Sequence, residues 1–157
     1  MEYNLSELLL RTACACTACD GEIAREEVAL IKALDKDEHL FGDIDIEREL
    51  SLLLDQINEL GEGFLKNYLS SIKESKLREE DAIRLLDVAV KTIKADNIIQ
   101  YSEIKFFKVI KANLNISDEV ILERIEGIDE MWVAQDIKDY ETLFDSYFDN
   151  IEMIFYF

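Results

Sequence analysis

The chain has 157 residues, 49% of them hydrophobic and 33% charged, which is enough apolar matter for one buried core and enough charge to cover it; a disordered chain is excluded. Its 17 basic and 35 acidic residues give a formal net charge of −18, and such a surface repels phosphate backbones, so direct nucleic-acid binding is excluded too. Proline is absent and glycine occurs only five times; helix interiors reject both, so the composition points to an all-α fold.

The start, Met1-Glu2-Tyr3-Asn4, does not read as a leader, and Glu7 and Arg11 interrupt the apolar stretch that follows. Nothing approaches the ~20 uninterrupted apolar residues of a membrane span. A cytoplasmic protein with no direct membrane span is expected.

Leu5, Leu8, Leu9, Ala13 and Cys16 follow helical spacing and predict a first helix over 5–19, capped by Asn4 or Ser6 and stopped by Asp20-Gly21. A second helix is predicted over 25–33, with Val28, Ile31 and Leu34 on its apolar side. An acidic connector, 35–45, follows. The third helix covers 46–60, and Gly61 and Gly63 break the chain before a fourth over 64–75. The fifth, 79–95, carries the stripe Ile83, Leu86, Val90, Ile93; the sixth covers 101–113. Ser117 caps a short seventh helix that ends near Gly127, with Asp118 and Glu119 suiting the dipole of its first turn.

Residues 1–128 thus form one helical domain, and 129–157 an amphipathic, aromatic C-terminal extension. Ile137, Tyr140, Leu143, Phe144 and Tyr147 fit a helix over 136–150. The end, Ile151 to Phe157, fits either a continuation of that helix or a short strand. The extension packs on its own domain or on a partner, since apolar segments are seldom left bare.

Cys14, Cys16 and Cys19 are close in sequence but do not make a zinc site by spacing. Cys16 and Cys19 share a helix face while Cys14 points elsewhere, and the one histidine, His39, lies beyond the next helix. Small, buried, reduced thiols in a tight helix contact are expected.

Two segments match at an offset of 76 residues, Asp20-Gly21-Glu22-Ile23-Ala24-Arg25-Glu26-Glu27-Val28 and Asp96-Asn97-Ile98-Ile99-Gln100-Tyr101-Ser102-Glu103-Ile104. Each lies between one helix and the next. The pattern overlaps the second half of an EF-hand loop, but the earlier ligand places hold Cys16, Ala18, Thr92 and Lys94, so neither copy is an EF-hand on its own. Three readings stand. Glu27 and Glu103, third in their helices, can cap free backbone N–H groups. Alternatively Asp20, Glu22, Glu27, Asp96 and Glu103 come together by pseudo-symmetry as one acidic site for a divalent cation (Ca²⁺, Mg²⁺ or Mn²⁺), for which hard carboxylate oxygens are suited. The loops can also dock a protein partner.

The stretch ACDGEIAREEVALIKAL, 18–34, resembles the signature of the TerB-like (tellurite resistance protein B) family, roughly A-D-G-x-I-x-x-x-E-x-x-x-[LI]. KADNIIQYSEIKFFKVI, 94–110, is similar to its second occurrence, with Asn97 and Ile98 departing from the pattern. The resemblance spans about 5–125. It implies a single compact bundle of about seven helices with an internal pseudo-two-fold repeat. It also implies an acidic, metal-associated site at Asp20, Glu27, Asp96 and Glu103, and a place in bacterial stress, metal-resistance and phage-defence systems without catalysis. Similar domains stand at the start of membrane-anchored DnaJ-like proteins.

No Ser-His-Asp set and no glycine-rich phosphate loop occurs. The expected function is a non-enzymatic accessory module that binds a protein partner, one with a basic surface or part of a membrane-associated complex. The alternative is a scaffold that forms a homodimer through its aromatic tail, its acidic residues serving only as helix caps.

Overall fold

In the computed structural model the described residues are 4–18, 22–23, 25–38, 41, 44–95, 101–133 and 154–155. They form an all-α bundle. Its helices are α1 (Leu5–Ala18), α2 (Arg25–Glu38), α3 (Ile46–Leu60), α4 (Glu62–Ser75), α5 (Glu79–Lys94), α6 (Tyr101–Ala112), α7 (Asp118–Arg124) and α8 (Glu130–Val133). Two two-residue strands, β1 (Glu22–Ile23) and β2 (Ile154–Phe155), pair in parallel, Glu22 opposite Ile154 and Ile23 opposite Phe155.

The bundle is arranged around α1. Asn4 caps it, its Oδ1 accepting from the Glu7 N–H at 3.1 Å. The spacing of its leucines predicts burial on one side, yet Leu8, Leu9, Leu10, Thr12, Ala13, Cys14, Ala15, Cys16 and Ala18 are all buried. The reason is that α5, α4, α3, α2 and α6 all touch it. A helix with neighbours on most sides must be apolar on most sides, and in α1 Glu7 stays exposed and Ser6, Arg11 and Thr17 half-buried. Cys14 therefore lies in the core, as Cys16 does, and not on an outward face.

Small side chains let the neighbours approach. Ala13, Cys14, Ala15 and Ala18 are fully buried, and Ala82 and Ala89 do the same on α5, the main neighbour of α1. Thr12, the polar residue among the buried ones of α1, is satisfied twice. Thr12 Oγ1 donates to the Leu8 carbonyl at 2.7 Å and lies 2.6 Å from the Tyr68 hydroxyl. A hydroxyl has one proton, so Tyr68 is the donor to Thr12. Burial pushes the Tyr68 phenol well above its ordinary value, which keeps that proton in place.

Several helix boundaries follow from local chemistry. Asp45 caps α3 through the Arg48 N–H at 3.3 Å, and Ser117 caps α7 through the Val120 N–H at 3.3 Å. Others differ from the expectation. α2 continues to Glu38 instead of stopping at 33, because Asp35 to Glu38 contains no breaker and an established helix propagates at little cost. The connector beyond it is less polar than its charge suggests, since Phe41 is completely buried. α4 begins at Glu62, two residues early. Gly61 alone, at φ 58°, turns the chain, and Gly63 joins the first helical turn.

α7 ends at Arg124, and the turn at Gly127 leads into α8, a short helix with no strong periodic signal. α8 brings residues beyond 128 into the core. Trp132 and Val133 are buried, and the Trp132 ring meets Phe107 edge-on at 5.3 Å and 88°. The amphipathic helix expected over 136–150 falls outside the described residues.

If α8 is an integral part of the core, Trp132→Ala should cost about 3–5 kcal/mol, the usual loss for a buried aromatic side chain. Urea unfolding followed by far-UV circular dichroism measures this. A loss under about 1 kcal/mol would mark α8 as a surface appendage.

Candidate functional site

The two acidic segments follow helices of the same kind. Leu9, Leu10 and Ala13 of α1 are buried, and so are Leu85, Leu86 and Ala89 of α5, each 76 residues later. After α1 the chain passes through β1 into α2. After α5 it reaches α6. The helix starts agree with the sequence: Glu27 is third in α2 and Glu103 third in α6, the position a capping box requires.

Of the five candidate ligands, Asp20 and Asp96 lie outside the described residues. Glu22 is placed in β1 and Glu27 in the first turn of α2 by their backbones. Glu103 is described in full. It is half-buried, and its carboxylate lies close enough to Cys16 to raise the thiol's pKa. α6 packs against α1, and Cys16 lies four residues before Asp20 in the sequence. β1, α2 and α6, which carry Glu22, Glu27 and Glu103, each touch α1. Among the described side chains, no three His, Cys, Asp or Glu residues gather as a metal site.

The thiols in this region have a packing role. Cys14 and Cys16 form no disulfide and are completely buried. Burial lifts the Cys14 thiol from 9.0 to about 12 against the opposing pull of Arg11. Burial lifts Cys16 further, assisted by the negative charge of Glu103 and then by Cys14. Both are neutral thiols near pH 7, whereas the thiolate is the nucleophile and the metal ligand. Cys19 and His39 lie outside the described residues.

One feature escaped the sequence reading. Glu80, Arg84, Asp87, Lys91 and Lys94 make a charged stripe along α5. An open groove of about 680 Å³ runs beside it, between the end of α2 and the turn after α7. The i, i+4, i+7 spacing of these charges is visible in the sequence. What was missing is the wall opposite, which α7 supplies from 30 residues further along the chain.

The buried thiols make a pH prediction. A group held protonated in the folded state contributes stability fully below its unfolded pKa and loses it as pH rises towards the folded value. For Cys14 that window runs from pH 9.0 to about 12. Stability should fall there by about 1.4 kcal/mol per pH unit for this thiol, and Cys14→Ala should flatten the slope. Melting temperature against pH measures it. Labelling of Cys14 or Cys16 by a thiol reagent at neutral pH in the folded protein, located by peptide mapping, would contradict their burial.

Comparison with protein-family models, with curated proteins and with solved structures finds no match to this chain.

Proposed function

We propose that this chain is a non-enzymatic accessory module of the TerB-like kind, acting in a bacterial stress response. In this reading it holds a divalent cation between its two acidic segments, with Asp20, Glu22, Glu27, Asp96 and Glu103 as the oxygen donors. The observation that supports it best is that α6, with Glu103 in its first turn, packs against α1, the helix that leads into the first segment, and the Glu103 charge is felt at Cys16. The recurrence of buried positions at the 76-residue offset supports a pseudo-two-fold arrangement of the two segments. Carboxylates held together repel one another, and a hard cation relieves that repulsion.

The protein partner in this reading presents a basic surface, complementary to the net charge of −18. A place in a membrane-associated complex is compatible with the absence, among the described residues, of any helix long and apolar enough to cross a membrane. A cytoplasmic setting and a role without catalysis belong to the same proposal.

Thermal melts of the full chain in excess EDTA and in Ca²⁺, Mg²⁺ or Mn²⁺ test the proposal, comparing the parent with Glu27→Gln and Glu103→Gln. At a hundred times its dissociation constant a ligand adds about 2.7 kcal/mol, which raises the melt by about 5 °C or more at this chain length. The shift should disappear in both variants, because each removes a donor from one shared site. Equal melts in EDTA and in all three cations, with both variants merely less stable, would leave these glutamates as helix caps.

A further inference from the structure

The groove along α5 has a charge opposite to that of the molecule. Arg84, Lys91, Lys94 and Arg124 line it against Asp87 and Glu126. The chain as a whole has 35 acidic residues to 17 basic, whereas the groove lining has four basic to two acidic. The α5 contributors are spaced by seven and three residues, which puts Arg84, Lys91 and Lys94 on one helix face.

Both ends of the groove are tied by cations. At one end Arg124 grips the Glu80 carboxylate with two nitrogens, at 2.5 and 2.9 Å. At the other, Lys94 Nζ donates to the Gly127 carbonyl at 2.9 Å. Gly127 has φ 85°, and a Cβ there would lie 2.6 Å from Lys94 Nζ. The positive φ favours glycine at this turn, and a side chain there would make the Lys94 ammonium shift. Lys94 forms no ion pair among the described residues. Lys91 is bound to Asp87 at 3.1 Å. Arg84 is exposed and makes neither an ion pair nor a hydrogen bond among the described residues.

The floor between these charges is apolar: Ile83 and Val90 are buried, and Leu34 from α2 closes the side. We propose that this groove binds a small organic anion, a phosphate or carboxylate carried on an apolar or aromatic body, with the anionic group on Arg84 and Lys94 and the body on Leu34, Ile83 and Val90. Arginine's planar fork suits both oxyanions. Size follows from the charge of the whole. At physiological salt the screening length is about 8 Å, so a ligand confined to the groove feels its cations. A long polyanion would extend into the repulsive field of the remaining surface. The inference is independent of the cation proposal.

The test is a titration of the full chain with adenosine monophosphate, citrate and inorganic phosphate at constant ionic strength, read by amide chemical shifts. Saturable shifts are expected in residues 83–95 and 124–127, at a dissociation constant of about 1 mM or tighter for at least one organic anion. Inorganic phosphate, which has no body to lie on the floor, should bind more weakly. The organic arms separate a phosphate ligand from a carboxylate one. Arg84→Gln should weaken binding about tenfold at an unchanged melting temperature, since a charge-assisted contact of about 1.4 kcal/mol is lost and no intramolecular partner is. Non-saturating shifts with all three anions would overturn the proposal. So would saturable shifts elsewhere on the surface, or the same affinity in Arg84→Gln.

Discussion

Close packing around the small residues of α1 is the constraint on which the other features depend. Ala13, Cys14, Ala15 and Ala18 leave no room for larger side chains, with α5 on one side and α3 and α4 on others. Added volume at such positions displaces neighbours, at a cost of about 1–3 kcal/mol. Their thiols are neutral because they are buried, and Glu103 comes near Cys16 because α6 packs against the same helix. The buried bond between Thr12 and Tyr68 fixes the axial position of α1 against α4, which apolar contacts alone would leave free to slide. β1 and α2, which carry Glu22 and Glu27, also pack against α1.

Net charge and local charge are distributed unequally over this frame. Glu22, Glu27 and Glu103 lie on elements that touch α1, and the groove with Arg84, Lys91 and Lys94 lies along α5. The last turn of α5 belongs to both regions. Lys94 and Ala95 line the groove, and Asp96 begins the second acidic segment. A chain with twice as many acidic as basic residues has thus placed opposite potentials within a few residues of each other. Such gradients favour ligands of limited size over extended polymers.

The helical fold was legible where local chemistry decides it. The caps at Asn4, Asp45 and Ser117 were visible as side chains able to accept from free N–H groups, and α3 begins and ends where its apolar period does. Features set by distant parts of the chain were not. Periodicity gave α1 one buried side, because nothing in its own residues shows that five helices surround it. The end of α2 was misplaced because charged residues read as connector even when they are good helix formers. α8 is too short for a period, and its tryptophan is buried because Phe107 stands opposite. At the candidate site the sequence placed Glu27 and Glu103 at equivalent helix positions, and the structure agrees. The nearness of Glu103 to Cys16 and the basic groove arise from tertiary packing across intervals of many residues.

The central claim is that the two acidic segments converge on one cation at the end of α1. It is tested most directly by adding substoichiometric Mn²⁺ to the isotopically labelled protein and reading paramagnetic broadening residue by residue. Convergence predicts that amides in 20–27 and 96–103 broaden together, with one shared concentration dependence, before the rest of the acidic surface. Broadening confined to one segment, or spread evenly over all exposed carboxylates, would contradict it.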